Sequence, residues 1–212
     1  PEEYGGSGLG HLELCVIAEE LGRSLAPTPF ASSIYLGAEA LMKAGTEEQK
    51  QVYLPDIATG KKIWCLALSE GPRPITEKNI AVSEFNGKLS GEKIPVVDGD
   101  IADRAIVLAK DRTSAGLYVV DLNGVGVDRN TIETVDPTRS QAKIKFLDTP
   151  AERLGDNGWD LLENIQDRAA VLMAFEQVGG AEVALDMAKE YALDRYAFGR
   201  PIASYQAINC LL

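Results

Sequence analysis

The stretch from residue 166 to residue 206 constrains the fold most, because it predicts one long helix that ends at a sharp corner. The stretch carries a broad stripe of apolar residues. A stripe this broad is typical of a helix packed by neighbours on several sides, as in a bundle. We expect the helix to end near Ala197, since Gly199 offers a left-handed residue and Pro201 prevents continuation. A further helix is predicted after Ser204. The apolar residues of the stripe recur at three- and four-residue spacing and include Val171, Leu172, Phe175, Val178, Val183, Leu185, Met187, Ala188, Tyr191 and Ala192.

Two adjacent glycines, Gly179 and Gly180, lie in the middle of this predicted helix. Each glycine is about 1 kcal/mol less favourable than alanine inside a helix. That cost is tolerable where another backbone or a flat ligand comes close to the helix. The pair therefore predicts a close approach at this point.

Charged and aromatic residues surround the corner after the helix. Arg195 lies in the last predicted turn beside Tyr196 and Phe198, and Gln206 lies in the first turn of the next helix. A guanidinium binds anionic oxygens in a planar fork, which suits a phosphate or pyrophosphate. Spacing alone equally allows an arginine that satisfies the last helix carbonyls and the helix dipole.

The run from residue 191 to residue 208 reads Y-A-x-x-R-x-x-F-G-R-P-I-x-x-x-Q-A-I. It resembles the flavin-contacting corner of the acyl-CoA dehydrogenases. The resemblance implies that Arg195 binds the FAD pyrophosphate, Phe198 the isoalloxazine or ribityl region, and Gln206 the adenine side. In that family the FAD belongs to a neighbouring subunit, so the resemblance also implies an oligomer, either a homodimer or homotetramer or a hetero-oligomer.

Helical patterns also fill the first 62 residues. Helices are predicted over 11–25 and 31–44, and a third begins after Thr46, whose pairing with Gln49 is typical of a capping box. Pro55 is expected to limit this third helix near Tyr53. The glycines of GGSGLG have the wrong spacing and context for a dinucleotide-binding turn. P-E-x-Y-G-G and E-E-L-G-R instead resemble the N-terminal domain of the acyl-CoA dehydrogenases.

The apolar period changes from helical to alternating at Ile63. Eight short runs read as strands of an antiparallel sandwich or barrel. Helical patterns resume at Gly158. The predicted fold is therefore α+β with several domains: a partial N-terminal helical domain (1–62), a β-sandwich or barrel domain (63–150) and the start of a C-terminal helical bundle (151–212). The eight runs are 63–68, 80–84, 87–90, 94–97, 104–109, 116–122, 131–135 and 142–146.

Two β-domain segments occupy the places of the family's flavin floor. The loop L-S-E-G-P-R-P, residues 68–74, resembles the family's T-E-P-G-x-G-S-D loop. Ser69 keeps a hydroxyl in place of the threonine, and the resemblance implies that this hydroxyl contacts the flavin. The glycine-serine-aspartate part of that loop is missing here. The second segment, 91–99, keeps the frame of G-x-K-x-W-I-T-N-G, but Pro95 replaces the tryptophan and Val97 the threonine.

Acidic residues of the long predicted helix include candidates for substrate binding and proton abstraction. Asp167 matches the family's acidic residue near the CoA thioester, which implies a substrate contact. Arg168 is out of register with the family's arginine. Glu176 is either a buried carboxylate suited to proton abstraction or a helix glutamate that reaches solvent or an arginine. No catalytic base is assigned, because the resemblance places it in the C-terminal helical domain, beyond Leu212.

Two further charged segments have mainly structural interpretations. Asp103 and Arg104 follow the family's A-D-x-x-x-V pattern, which we interpret as structural. The D-x-T-R turn at 136–139 is either a local turn or a contact at the cofactor interface.

Composition narrows the function classes. A net charge of −11 and a pI near 4.6 argue against nucleic acid or anionic membranes as the main partner. No apolar run approaches the roughly 20 residues that span a bilayer. His11 is the only histidine and the three cysteines are far apart, so no metal site is expected. Reduced thiols favour a cytoplasmic location. Both ends of the sequence look truncated relative to the family.

The sequence thus leaves three functions open. The first is an FAD-dependent acyl-CoA dehydrogenase that desaturates an acyl-CoA thioester and passes electrons to an electron-transfer flavoprotein, as the resemblance implies. The second is a non-catalytic partner subunit that completes the FAD site of a catalytic neighbour. The third is a binding scaffold without flavin.

Overall fold

The computed structural model describes residues 1–210, and its contacts group the chain into two compact units. The first unit comprises Pro1–Leu9 and Pro27–Ala170, and the second comprises Gly10–Ala26 and Val171–Leu212. The sequence-based division into three domains at 62/63 and 150/151 stays a prediction. In the described part of the chain, no helix combines the length and the apolar character needed to cross a membrane.

Helices occur at both ends of the chain, as predicted. A short 3-10 turn (Glu2–Tyr4) opens the chain, a π-helical segment (Ala31–Ala38) runs directly into the second α-helix, and another 3-10 turn (Ile202–Ser204) precedes the last one. The α-helices are α1 (His11–Arg23), α2 (Glu39–Ala44), α3 (Glu47–Ala58), α4 (Gly158–Asp194) and α5 (Gln206–Asn209).

The cap of α3 is confirmed, but its predicted end is wrong. The Gln49 amide donates to the Thr46 hydroxyl at 3.2 Å, and the Thr46 amide donates to the Gln49 side chain at 3.0 Å. The helix passes through Pro55 and continues to Ala58. Burial of Leu54 and Ile57 near this end of the helix offsets the free-energy cost of the backbone hydrogen bond that Pro55 cannot donate.

An eight-stranded sheet forms the centre of the first unit, which confirms the α+β fold. Its strands are β1 (Trp64–Ala67), β2 (Ser83–Phe85), β3 (Lys88–Val97), β4 (Arg104–Lys110), β5 (Ala115–Asp121), β6 (Val127–Ile132), β7 (Gln141–Pro150) and β8 (Glu152–Leu154). The hydrogen-bonded order is β6-β7-β3-β2-β4-β5-β8, and β1 joins through β4. Most neighbours are antiparallel, but β1 and β2 run parallel to β4, so the sheet is mixed rather than purely antiparallel.

Several strands differ from the sequence prediction, among them β7, which continues to Pro150 beyond the predicted run 142–146. The runs 87–90 and 94–97 are one strand, β3, which pairs with β7 across two irregularities in register. The run 80–84 starts late, because the amides of Ala81 and Val82 donate to the Glu70 carboxylate instead of to a strand. The run 131–135 lies mostly beyond the observed β6, and β8 was not predicted.

The two middle strands, β4 and β5, are buried on both faces of the sheet. On one face, Ile106 and Leu108 pack in a cluster with helical residues such as Leu41 and Leu162. On the other face, Val107 packs in a cluster with residues of β3 and β7. This arrangement explains the nearly continuous apolar sequence of β4 and β5, because alternate residues of each strand enter different clusters.

In the second unit, α1 and the second half of α4 touch backbone to backbone. A methyl group added at Gly22 would overlap the carbonyl of Glu176, and one added at Gly179 would overlap the carbonyl of Glu19. An ion pair between Arg23 and Glu182 flanks the contact. Of the two explanations for the double glycine, the approach of a second backbone is therefore the one observed.

A buried aspartate joins the π-helical segment to the turn after β3. Asp98 is 3% exposed, has a left-handed φ of 56°, and accepts a hydrogen bond from the Ser32 hydroxyl at 2.5 Å. Burial raises the pKa of Asp98 despite this bond. Since the folded pKa lies above the unfolded one, the charged carboxylate destabilises the fold at neutral pH, and this penalty fades as the pH falls through the folded pKa.

We therefore expect Asp98→Asn to stabilise the protein at pH 7 and to change its stability little near pH 4. Asparagine keeps an acceptor for Ser32 and tolerates a left-handed backbone. Thermal unfolding at the two pH values measures the difference. A destabilised variant at pH 7, or the same gain at both pH values, would contradict this assignment.

Candidate functional site

The corner after α4 is a tight β-hairpin. Strand β9 (Tyr196–Ala197) pairs antiparallel with β10 (Arg200–Pro201). The residues between them, Phe198 and Gly199, have φ values of 53° and 80°, as in a type I′ turn. The helix thus ends at Asp194, earlier than predicted, because Gly199 serves the hairpin and not a helix cap.

Phe198 is an unusual residue for its position in this turn. A left-handed backbone costs a residue other than glycine, asparagine or aspartate about 1–2 kcal/mol. The Phe198 side chain is also 99% exposed, so no packing within residues 1–210 repays that cost. A strained, exposed aromatic side chain is typical of a position that serves a ligand or a partner.

Contacts from both sides hold the hairpin in place. The Ile202 amide donates to the Arg195 carbonyl at 2.8 Å, and the Tyr205 hydroxyl donates to the Ala197 carbonyl at 2.8 Å. The Arg200 guanidinium lies 3.9 Å from the centre of the Tyr205 ring, which allows a cation–π interaction. Hydrogen bonds therefore hold the backbone near Phe198, while the Phe198 ring itself is exposed.

Arg195 and Gln206 stand on either side of this hairpin, and both are exposed. Arg195 follows the last residue of α4, and Gln206 begins α5. Within residues 1–210, neither side chain forms a hydrogen bond or ion pair. The corner thus offers a guanidinium, a flat ring and a carboxamide to an external group.

Ser69 lies in the first unit, on the segment that leaves β1. Its carbonyl accepts from the Ile94 amide at 2.7 Å, and the Gly71 amide donates to the Ile94 carbonyl at 2.8 Å. Residues 69–71 therefore run alongside β3 as a short parallel bridge centred on Glu70. The Ser69 side chain is half-buried.

Beneath this segment lies a buried ion pair that the sequence analysis missed. The side chain of Lys93 is fully buried, and its ammonium donates to Glu70 at 2.6 Å and to the Leu68 carbonyl at 2.9 Å. Burial lowers the pKa of Lys93 to about 8, although Glu70 opposes the shift. Burial alone would raise the pKa of Glu70, but Lys93 and the amides of Ala81 and Val82 hold it below its usual value.

One signal in the sequence could have revealed this pair. Lys93 lies four residues after Leu89 on an alternating strand, so both side chains point to the same, inward face. A lysine at an inward position needs a buried anionic partner.

The acidic candidates on α4 lie in different surroundings. Asp167 is exposed and belongs to the first unit. Its neighbour Arg168 forms an ion pair at 2.9 Å with Glu39, which is 4% exposed. This ion pair is a structural reason for an arginine at position 168 that requires no bound ligand. Glu176 belongs to the second unit and is half-buried.

Two other charged segments have local, structural partners. Asp103 accepts from the Lys62 ammonium at 2.9 Å and from the Ile63 amide at 3.0 Å, in agreement with its structural interpretation. Asp136 accepts from the amide and the hydroxyl of Thr138, at 2.9 and 2.6 Å, which favours the local-turn interpretation.

The structure brings three of the predicted site residues into one place. Arg195, Phe198 and Gln206 share the hairpin corner of the second unit, whereas Ser69 and Asp167 belong to separate elements of the first unit. Among residues 1–210, no group of three or more histidine, cysteine, aspartate or glutamate side chains is arranged to hold a metal ion. The roles of these five residues stay predictions.

Comparison with known proteins agrees with the resemblance. The family model "Acyl-CoA dehydrogenase, N-terminal domain" matches residues 1–61, and "Acyl-CoA dehydrogenase, C-terminal domain" matches residues 156–212. Together the two matches cover more than half of the chain.

Individual relatives extend the similarity to the whole chain. "Acyl-CoA dehydrogenase IpdE2" of Mycolicibacterium smegmatis is 33% identical over 99% of this chain and 53% of its own length. "Caffeyl-CoA reductase-Etf complex subunit CarC" of Acetobacterium woodii is 30% identical over 100% of this chain and 61% of its own.

A solved structure adds the three-dimensional likeness. The structure described as "Tcur3481-Tcur3483 steroid ACAD G363A variant" has a TM-score of 0.86 and 30% identity, over 99% of this chain and 57% of the other. The chain therefore spans only about half to three-fifths of the length of the relatives it matches. With both family models and full-length coverage of the sequence in agreement, the chain belongs to the acyl-CoA dehydrogenase family.

Proposed function

We propose that the protein is an FAD-dependent acyl-CoA dehydrogenase that desaturates an acyl-CoA thioester between its α and β carbons. The observation that carries the proposal is the hairpin corner, where the strained and fully exposed Phe198 stands between two side chains that lack partners within residues 1–210, Arg195 and Gln206. Family membership supports it, and the sequence of the corner resembles the family's FAD-contacting motif.

The donor set of the corner fits FAD. The Arg195 guanidinium matches two phosphate oxygens in a planar fork, the Phe198 ring can lie against a flat or apolar group, and the Gln206 amide can both donate and accept. We infer that these residues reach an FAD held by a neighbouring subunit, since the hairpin displays them outward. In the first unit, the Ser69 hydroxyl is the proposed donor to the flavin ring.

When bound, FAD supplies the acceptor for the hydride that leaves the β carbon. This chain's own residues would bind and orient it: Arg195 neutralises pyrophosphate charge, and Phe198 covers an apolar surface and excludes water. Asp167 is proposed to lie near the thioester end of the substrate. The base that removes the α proton is not assigned to any of these residues.

The colour of the purified full-length protein tests the proposal. We expect a yellow protein with an absorbance band near 450 nm, roughly where protein-bound flavins absorb. An acyl-CoA substrate should then bleach the band under anaerobic conditions as the flavin is reduced. A colourless protein that stays colourless after incubation with FAD would contradict the proposal.

A second candidate is a non-catalytic partner subunit in a hetero-oligomer. It is favoured by the segment 68–74, where the family's glycine-serine-aspartate is missing, and by Pro95, which replaces the aromatic side chain of the flavin floor. The steroid acyl-CoA dehydrogenase structure similar to this chain is named after two proteins, Tcur3481 and Tcur3483. Flavin that binds only after co-purification with a second, related subunit would favour this candidate.

The remaining partners follow from the family. We propose an acyl-CoA as substrate and an electron-transfer flavoprotein as electron acceptor, and a relative of this chain is named as a subunit of an Etf complex. We also propose a cytoplasmic location, in which the free cysteines Cys15, Cys65 and Cys210 stay reduced.

A further inference from the structure

The buried pair of Lys93 and Glu70 lies directly beneath Ser69, and we propose that Lys93 is a positioning residue that fixes Ser69 for its contact with the flavin. The inference rests on the proposed function, because it assigns the flavin as the group that Ser69 meets. It concerns residues of the first unit alone.

The pair ties three separate segments of the chain together. Lys93 on β3 donates to the Leu68 carbonyl, one residue before Ser69, and to the carboxylate of Glu70, one residue after it. Glu70 in turn accepts from the amides of Ala81 at 2.7 Å and Val82 at 3.1 Å. Both neighbours of Ser69 are thus held by the same two side chains.

The loop beyond Ser69 has few other restraints. Pro72, Arg73 and Pro74 are exposed, and no strand or helix occurs between β1 and β2. Besides the ion pair, the backbone bonds of Ser69 and Gly71 with Ile94 fix the segment to β3, and Leu68 and Ile75 pack against the apolar cluster of the first unit. Loss of the ion pair would therefore remove the polar contacts of Lys93 with the residues on both sides of Ser69.

Stability alone does not explain a buried ion pair at this site. Desolvation of two charges offsets much of their attraction, so an apolar pair of similar size serves stability equally well or better. An apolar pair would not hold the amides of Ala81 and Val82 or the Leu68 carbonyl, however. The pair is the arrangement that specifies where this backbone lies.

Hydrogen exchange and FAD titration of the full-length protein test the proposal together. The variants are Lys93→Met and Lys93→Arg, and the matched control is Lys143→Met. Lys143 forms a partly exposed ion pair at 3.0 Å with Glu92, the residue that precedes Lys93 on β3. FAD fluorescence reports affinity, and the shape of the 450 nm band, about where flavins absorb, reports the surroundings of the ring.

For Lys93→Met we expect at least about tenfold faster exchange of the Ala81 and Val82 amides, since Glu70 loses the cation that orders it. FAD affinity should fall about tenfold and the flavin band should shift. Lys93→Arg should recover part of both effects because it keeps the charge. The Lys143→Met variant should behave like the unaltered protein.

The outcomes separate this inference from the proposed function. Faster exchange with unaltered FAD affinity and an unaltered flavin band would overturn the inference and leave the dehydrogenase assignment standing. Absence of FAD binding in the unaltered protein, alone and with a partner subunit, would overturn both.

Discussion

Arg195→Ala is expected to weaken FAD binding by about 10- to 100-fold. The guanidinium is exposed, forms no ion pair within residues 1–210, and stands beside a hairpin whose backbone is fixed. A charge-assisted hydrogen bond to phosphate contributes about 1.5–3 kcal/mol, which corresponds to this range of affinity. Titration of the apoprotein with FAD, followed by flavin fluorescence, measures the effect.

Two further variants decide how Arg195 acts. Arg195→Lys should lose part of the affinity, since lysine keeps the charge but not the planar fork. Lys189→Ala is the control: it removes one positive charge from α4, the helix that ends just before Arg195, and Lys189 makes only a long ion pair of 3.9 Å with Asp186. If Arg195→Ala binds FAD as tightly as this control does, Arg195 is not a ligand of the pyrophosphate.

Gly179→Ala is expected to destabilise the second unit by about 3 kcal/mol. The added methyl group would overlap the backbone carbonyl of Glu19 on α1, and a backbone cannot move aside as a flexible side chain can. The gain in helix propensity of about 1 kcal/mol offsets only part of this strain. Thermal unfolding of the variant should show a midpoint lower by several degrees.

The neighbouring glycine provides a matched control for this prediction. A methyl group at Gly180 would lie 3.4 Å from the carbonyl oxygen of Gly22, which is an ordinary contact. Gly180→Ala should therefore leave stability unchanged or raise it by up to about 1 kcal/mol. Equal loss of stability in both variants would show that helix flexibility, and not the contact with α1, explains the glycines.

Features that depend on a few neighbouring residues could be predicted from the sequence. The capping pair of Thr46 and Gln49 formed as expected, because its two hydrogen bonds join residues three positions apart. Strands β4 and β5 were found almost to the residue, since both are continuous apolar runs bounded by turn residues. The α+β order of elements followed from where the apolar period changes.

Features that depend on distant residues could not be predicted in this way. Pro55 suggests a helix end locally, but burial of Leu54 and Ile57 against the first unit's core extends α3 beyond it. The late start of β2 depends on Glu70, whose carboxylate accepts hydrogen bonds from two backbone amides that would otherwise pair with a neighbouring strand. The local pattern of apolar residues does not predict that a side chain more than ten residues away accepts these hydrogen bonds.

The candidate site was predicted mainly from its resemblance to a family motif, and less from the spacing and chemistry of its residues. Spacing alone left Arg195 open between a phosphate ligand and a helix cap, and only the family's motif favoured the ligand. The hairpin that displays Phe198 was predicted as a helix end, because a glycine followed by proline is common to both structures. The Lys93–Glu70 pair was missed, since its partners lie 23 positions apart.

The contact between α1 and α4 has a consequence for synthesis of the protein in the cell. Gly22 leaves the ribosome about 150 residues before Gly179, which is on the order of ten seconds at typical translation rates. During that interval the surface of α1 around Glu19 and Gly22, which the second half of α4 covers in the folded chain, has no helix beside it. Nascent chains that pause before Gly179 should therefore depend on chaperones that shield this first helix.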